Sequence, residues 1–178
     1  SLGILLVGTD PASAQYVRAK ERAAKTLDVR VIVERRKTGE TVESVGNLLG
    51  EWNTDRSVHG IVVQRPLPSP LSVNDVIRLV LPKKDVDGLH PENIGLLAMD
   101  VPRFIPPTPV GILELLQYYG IASEGKRIVI VGRSMLVGKP LALLLLRKTV
   151  GGNSTVTVCH RETPRLSELT RPADILIA

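Results

Sequence analysis

Short continuous apolar runs alternate with stretches of helical period along almost the whole chain, and this alternation restricts the possible folds more than any other feature. "LGILLVG" (2–8) has no polar break, which suits a strand buried on both faces of a parallel sheet. The stretch after it has Asp10 as a helix N-cap, Pro11 at the first helical position, and Ala14, Val17 and Ala24 as an inward stripe. "VRVIVER" (29–35) and "HGIVVQ" (59–64) read as strands, "TVESVGNLLGEWN" (41–53) and "SVNDVIRLV" (72–80) as helices. Residues 82–107 carry prolines and glycines with few clean periods and read as a long structured connection. Alternation then resumes. "TPVGILELLQYYG" (108–120) is helical and stops at Gly120, "KRIVIVG" is a strand leading through a glycine turn into a helix, and "STVTVCH" is the next strand. After a short helix near "RLSELT", "ADILIA" begins another strand. The pattern predicts an α/β fold of two lobes, each with right-handed crossovers and a parallel sheet. A chain that opens on a strand and stops inside one is expected to be incomplete at both ends.

Charge and composition narrow the function. The net charge is +5, but the basic residues are scattered, with "ERRK" (34–37) the one tight group, and aromatics make up 3% of the chain. A nucleic-acid binder would interleave a basic stripe with aromatics, so the charge better suits small anions such as phosphates or carboxylates. Cys159 is the single cysteine, which excludes a disulfide framework and a thiolate metal cluster. Its setting in "STVTVCH" predicts a small buried strand residue. No apolar run reaches spanning length and the start lacks a signal peptide's pattern, so no membrane partner and a cytoplasmic location are expected.

"VIVGRSMLVGKP" (129–140) places Gly132 after a strand and Gly138 at the step into a helix, where a phosphate would meet backbone N–H groups and the positive helix end. A full dinucleotide fingerprint has glycines where this chain has Ser134 and Val137. The stretch alone therefore serves equally as an ordinary strand-to-helix turn. At the end of the following strand, an NAD site calls for a carboxylate, whereas this chain offers His160 and Arg161. An arginine fork suits a 2′-phosphate, with Arg133 as a second positive group. The competing reading of Arg161 is a solvated charge beside Glu162.

Ligands of parallel sheets gather beyond the carboxyl ends of the strands. "HGIVVQ" delivers Gln64 there, followed by "RPLP", and "LGILLVG" leads into a helix with Tyr16 and Lys20 four residues apart on one face. "KDVDG" (84–88) adds Asp85 and Asp87, without the ligand spacing of a calcium loop. An aspartate before glycine is more often a turn former than a ligand.

In order and spacing, "VGTDPASAQYVRAKERA", "HGIVVQRPLP", "KDVDGLHPENIG", "PTPVGILELL" and "GRSMLVGKP" closely resemble the methylenetetrahydrofolate dehydrogenase/methenyltetrahydrofolate cyclohydrolase family, along nearly the whole chain. The resemblance implies that Tyr16 packs on the folate, Lys20 is the catalytic amine, Gln64 hydrogen-bonds and places Lys20, and Asp87 binds the pterin. Pro66 and Leu67 join the substrate site. Gly132, Arg133, Ser134, Gly138 and Pro140 match the NADP-binding segment, with His160 and Arg161 beyond it. Residues 1–107 are then the folate-binding catalytic domain and 108–178 a Rossmann-like NADP-binding domain. NADP is the implied cofactor and tetrahydrofolate derivatives the substrates. A homodimer is implied, with no metal and no nucleic-acid partner.

The implied activity oxidises 5,10-methylenetetrahydrofolate to the methenyl compound and hydrolyses that to 10-formyltetrahydrofolate, within one-carbon metabolism and purine biosynthesis. A dehydrogenase without the hydrolytic step, and a non-catalytic nucleotide-binding module, are the alternatives. The module has no need of Tyr16, Lys20, Gln64 and Asp87 together. Two positions depart from the family pattern: Pro107 stands where cysteine is usual, and Arg65 where leucine is common.

Overall fold

The computed structural model describes residues 1–178, which form two compact units, Ser1–Pro91 and Glu92–Ala178. In the first, β1 (Leu2–Val7), β2 (Val31–Arg36) and β3 (Gly60–Val63) make a parallel sheet of order β2-β1-β3. Ile4, Leu5, Leu6 and Val7 are at most 3% exposed, so the unbroken apolar run of β1 is the central strand, covered on both faces. Helix α1 (Pro11–Thr26) packs on one face, where Val17 joins Ile4, Leu6 and Val62 in one cluster with Ala14 against it. From α2 (Val42–Thr54), the Trp52 ring reaches β1 closely enough that a Cβ at Gly3 would lie 2.8 Å from it. A short α3 (Val73–Ile77) covers only the first part of the expected 72–80 helix.

The expected connection over 82–107 contains a helix, α4 (Pro91–Ala98). With only eight residues and Gly95 inside it, α4 is too short for its period to stand out, and Pro91 at its start reads locally as loop punctuation. In the second unit, α5 (Pro107–Tyr118) precedes β4 (Arg127–Val131), and α6 (Gly138–Leu146) follows it. After α6 come β5 (Thr155–Cys159), α7 (Leu166–Thr170) and β6 (Ile175–Ile177). The sheet is parallel with order β5-β4-β6, and Ile128, Ile130, Leu141 and Leu145 form its core, with Ile112 and Leu113 of α5 packed against them. Pro107 occupies the first turn of α5, where a missing N–H costs nothing, which gives the departure at this position a local structural use. Cys159 is fully buried at the end of β5. No helix is long and apolar enough to cross a membrane.

Candidate active site

Helix α1 begins under tight local control. The Asp10 carboxylate accepts from Ser13 N at 2.7 Å, and hydrogen bonds from Ser13 hold its pKa below the ordinary carboxylate value. The helix so started presents Tyr16, 66% exposed, and one turn later Lys20, half-buried. Strand β3 ends at Val63, so Gln64 and Arg65 lie just past its carboxyl end and strand alternation no longer governs where they point. Gln64 is buried, and Lys20 Nζ donates to its Oε1 at 2.9 Å. The other end of the amide is also engaged: Gln64 Nε2 donates to Arg65 O at 3.0 Å, and Ser13 Oγ donates to the same carbonyl at 3.0 Å. An ammonium only donates, so this pattern orients the amide with its oxygen toward Lys20. The sequence does not mark Ser13 as a site residue, because a helix-cap partner gives no sign of a second bond 52 residues away.

Asp87 is presented by a segment pinned at several points. Ile61 N donates to Lys84 O at 2.7 Å, and Ile61 and Asp85 form a parallel bridge. Gly60 leaves room for Val86, whose Cγ1 would lie 2.6 Å from a Cβ there. Lys84 Nζ donates to Trp52 O and Asp55 O, both at 2.7 Å, tying the end of α2 to the same segment. Burial lowers the pKa of Lys84, and nothing in "PKKD" distinguishes this buried lysine from its neighbour Lys83. Asp85 Oδ2 accepts from His90 N at 2.7 Å.

Burial raises the Asp87 carboxyl above its ordinary 3.8; the positive charge of Lys20 is the largest opposing influence, Asp85 adds to the rise and Arg65 opposes it. Lys20, Gln64 and Asp87 therefore form one electrostatic group. Pro66 is exposed and Leu67 half-buried in the loop after Arg65.

In the second unit, Gly132 N donates to Cys159 O at 2.8 Å at the ends of β4 and β5. A Cβ at Gly138 would lie 2.1 Å from Gly132 O, and Gly132 has φ 147, so this crossing of backbones admits no side chain at the first position and disfavours one at the second. Ser134 closes the turn: its Oγ accepts from Val137 N at 3.1 Å and its carbonyl from Lys139 N at 3.0 Å. Pro140 is buried at the third helical position, while Arg133 and Ser134 are exposed. Beyond β5, His160 Nδ1 accepts from Glu162 N at 3.3 Å. Arg161 Nε pairs with Glu162 Oε1 at 2.8 Å, with both side chains well exposed. The carboxylate engages one edge of this guanidinium.

Comparison with known proteins agrees with this division. The description "Tetrahydrofolate dehydrogenase/cyclohydrolase, catalytic domain" matches residues 1–87, and "Tetrahydrofolate dehydrogenase/cyclohydrolase, NAD(P)-binding domain" matches residues 106–178. The chain is 46% identical over 177 residues to the bifunctional protein FolD of Lachnoclostridium phytofermentans, covering 99% of this chain and 61% of that protein. It thus spans about three fifths of the length of the curated relatives it matches. Among solved structures, the bifunctional FolD methylenetetrahydrofolate dehydrogenase/cyclohydrolase of Campylobacter jejuni superposes with a TM-score of 0.92 at 40% identity, covering 99% of this chain and 62% of that one. The Trypanosoma brucei enzyme, solved with NADP cofactor and inhibitor, also gives 0.92, at 32% identity, covering 99% and 59%. Two domain descriptions of one family, matched in order with only residues 88–105 outside them, agree with the fold of each unit: the chain belongs to the tetrahydrofolate dehydrogenase/cyclohydrolase family.

Proposed function

We propose that the protein to which this chain corresponds oxidises 5,10-methylenetetrahydrofolate with NADP and hydrolyses the methenyl product to 10-formyltetrahydrofolate. The observation that carries the proposal is the Lys20–Gln64 hydrogen bond at the carboxyl end of β3, set in the same field as the raised Asp87 carboxyl. In this reading Tyr16 offers its exposed ring to the aromatic part of the substrate, and Asp87 takes N–H groups of the pterin. Pro66 and Leu67 line the same loop. The two nitrogens flanking the one-carbon unit stabilise the cation left by hydride departure, so the first step requires positioning rather than a protein base. Hydrolysis adds water and moves protons, and Lys20, oriented by Gln64, is the group placed to move them.

The second unit suits the cofactor, which when bound accepts the hydride. Its glycine crossing lets a pyrophosphate approach bare backbone at the start of α6. Gly132, Arg133, Ser134, Gly138 and Pro140 form that turn, and His160 and Arg161 stand at the strand end where the ribose is read, with the guanidinium favouring a 2′-phosphate. Residues 1–107 and 108–178 then divide substrate and cofactor binding, in a cytoplasmic homodimer. The test uses full-length protein with 5,10-methylenetetrahydrofolate and either NADP or NAD, following reduced cofactor and 10-formyl product together. Oxidation with NADP followed by 10-formyl product is expected. Accumulation of the methenyl compound would reduce the activity to a dehydrogenase, and no oxidation would refute the proposal.

A further inference from the structure

We propose that Arg65 is a substrate-recognition residue whose guanidinium takes a carboxylate of the bound substrate, namely the glutamate end that tetrahydrofolate compounds carry. The inference rests on the reading of the first unit as a tetrahydrofolate site.

Three arginines of the chain are half-buried: Arg36, Arg65 and Arg147. Arg36 pairs with Glu34 at 2.9 Å and Arg147 with Asp100 at 3.4 Å, whereas the Arg65 guanidinium makes no hydrogen bond and no ion pair. A partly desolvated guanidinium without an acceptor is unfavourable, and its planar fork of donors matches the two oxygens of a carboxylate. Its base is rigid, because the Arg65 carbonyl accepts from both Ser13 Oγ and Gln64 Nε2. This side chain therefore springs from the residue adjoining the Lys20 partner, at a backbone position set by α1.

Positive charge continues along the same edge of the sheet. A Cβ at Gly8 would lie 3.5 Å from Pro68 and 3.6 Å from Thr38, so the loop carrying Arg65 and the turn after β2 both approach the end of β1. Lys37, exposed beside Thr38, also makes no hydrogen bond or ion pair. The pterin and aminobenzoyl parts of the substrate offer no anion to such groups, and the glutamate end offers two. The charge of Arg65 also lowers the Asp87 pKa, although the two side chains form no ion pair, which leaves the fork available to a ligand.

The test compares full-length wild type, Arg65→Ala and Arg65→Lys with two substrates: 5,10-methylenetetrahydrofolate, and the same pterin and aminobenzoyl core lacking the glutamate. Arg65→Ala should raise KM for the glutamate-bearing substrate about tenfold or more, with kcat nearly unchanged and the KM of the tail-less substrate unaffected. Arg65→Lys, which keeps the charge and loses the fork, should fall between. An equal rise for both substrates, or no rise for either, overturns the inference. Wild type that turns over both substrates under that outcome leaves the proposed function standing, whereas wild type that oxidises neither refutes both.

Discussion

Lys20, which donates to Gln64, and Asp87, whose carboxyl is raised by burial, each carry a distinct expectation. If the Lys20 amine moves protons in hydrolysis, Lys20→Met in the full-length protein should cut cyclohydrolase activity by about a hundredfold to ten-thousandfold. Dehydrogenase activity should fall less, because hydride departure needs no proton from the protein. The ratio of the two activities at saturating folate is the quantity to measure, and an unchanged ratio would remove the proton-transfer role. Asp87 is tested by pH. Its folded-state pKa is raised by burial, so the folded state holds the proton more tightly than the unfolded chain and this group's contribution to stability is lost as pH rises from 3.8 through the raised value. Asp87→Asn should therefore gain stability relative to wild type over that window and keep the gain above it. Urea unfolding followed by the fluorescence of Trp52, the single tryptophan, reads this in the first unit. A relative stability that stays flat with pH would show that burial does not penalise the carboxylate. The positions of both residues were legible from "YVRAK" and "KDVDG", and Gln64 from its strand end. Ser13 and Lys84 were not, because their bonds to Arg65 O and to Trp52 O and Asp55 O join stretches remote in sequence.

At the scale of elements, the strands were the clearest features, since apolar runs such as "LGILLV" and "RIVIV" have few alternatives in an α/β chain. Short helices were the least clear: α4 was hidden in a connection and α3 is shorter than its pattern, because eight and five residues hold too few turns to display a period. The step from β4 into α6 depends on one crossing of backbones. Gly138→Ala would put a methyl group 2.1 Å from Gly132 O, which a backbone carbonyl can relieve only by opening the turn. A loss of about 1–3 kcal/mol in the stability of the second unit is expected, together with weaker NADP binding. Calorimetric titration with NADP checks the latter, with Lys139→Ala, an exposed neighbour, as the control. Unaltered NADP affinity in Gly138→Ala would show that the turn does not shape the cofactor site.

At the scale of the whole molecule, the two hydrophobic clusters share no residue: one gathers Ile4, Leu6, Val17 and Val62, the other Ile128, Ile130, Leu141 and Leu145. Leu141 is fully buried, so Leu141→Ala should cost the second unit about 2–5 kcal/mol. Hydrogen exchange should show lost protection in β4 and β6 while β1 and β3 keep theirs; equal loss in both sheets would mean that the units unfold as one. Sequence alone determined the strand order along the chain, the longer helices, the parallel sheets and the motifs that mark the family, because each is written in local period or in a run of adjacent residues. Tertiary structure alone decided that Gln64 turns its oxygen to Lys20, that Asp87 is pushed up by burial, and that Arg65 is left half-buried without an acceptor. Those properties come from desolvation and hydrogen bonding among α1, the end of β3 and the segment after Lys84, which are brought together only when β1 is covered on both faces.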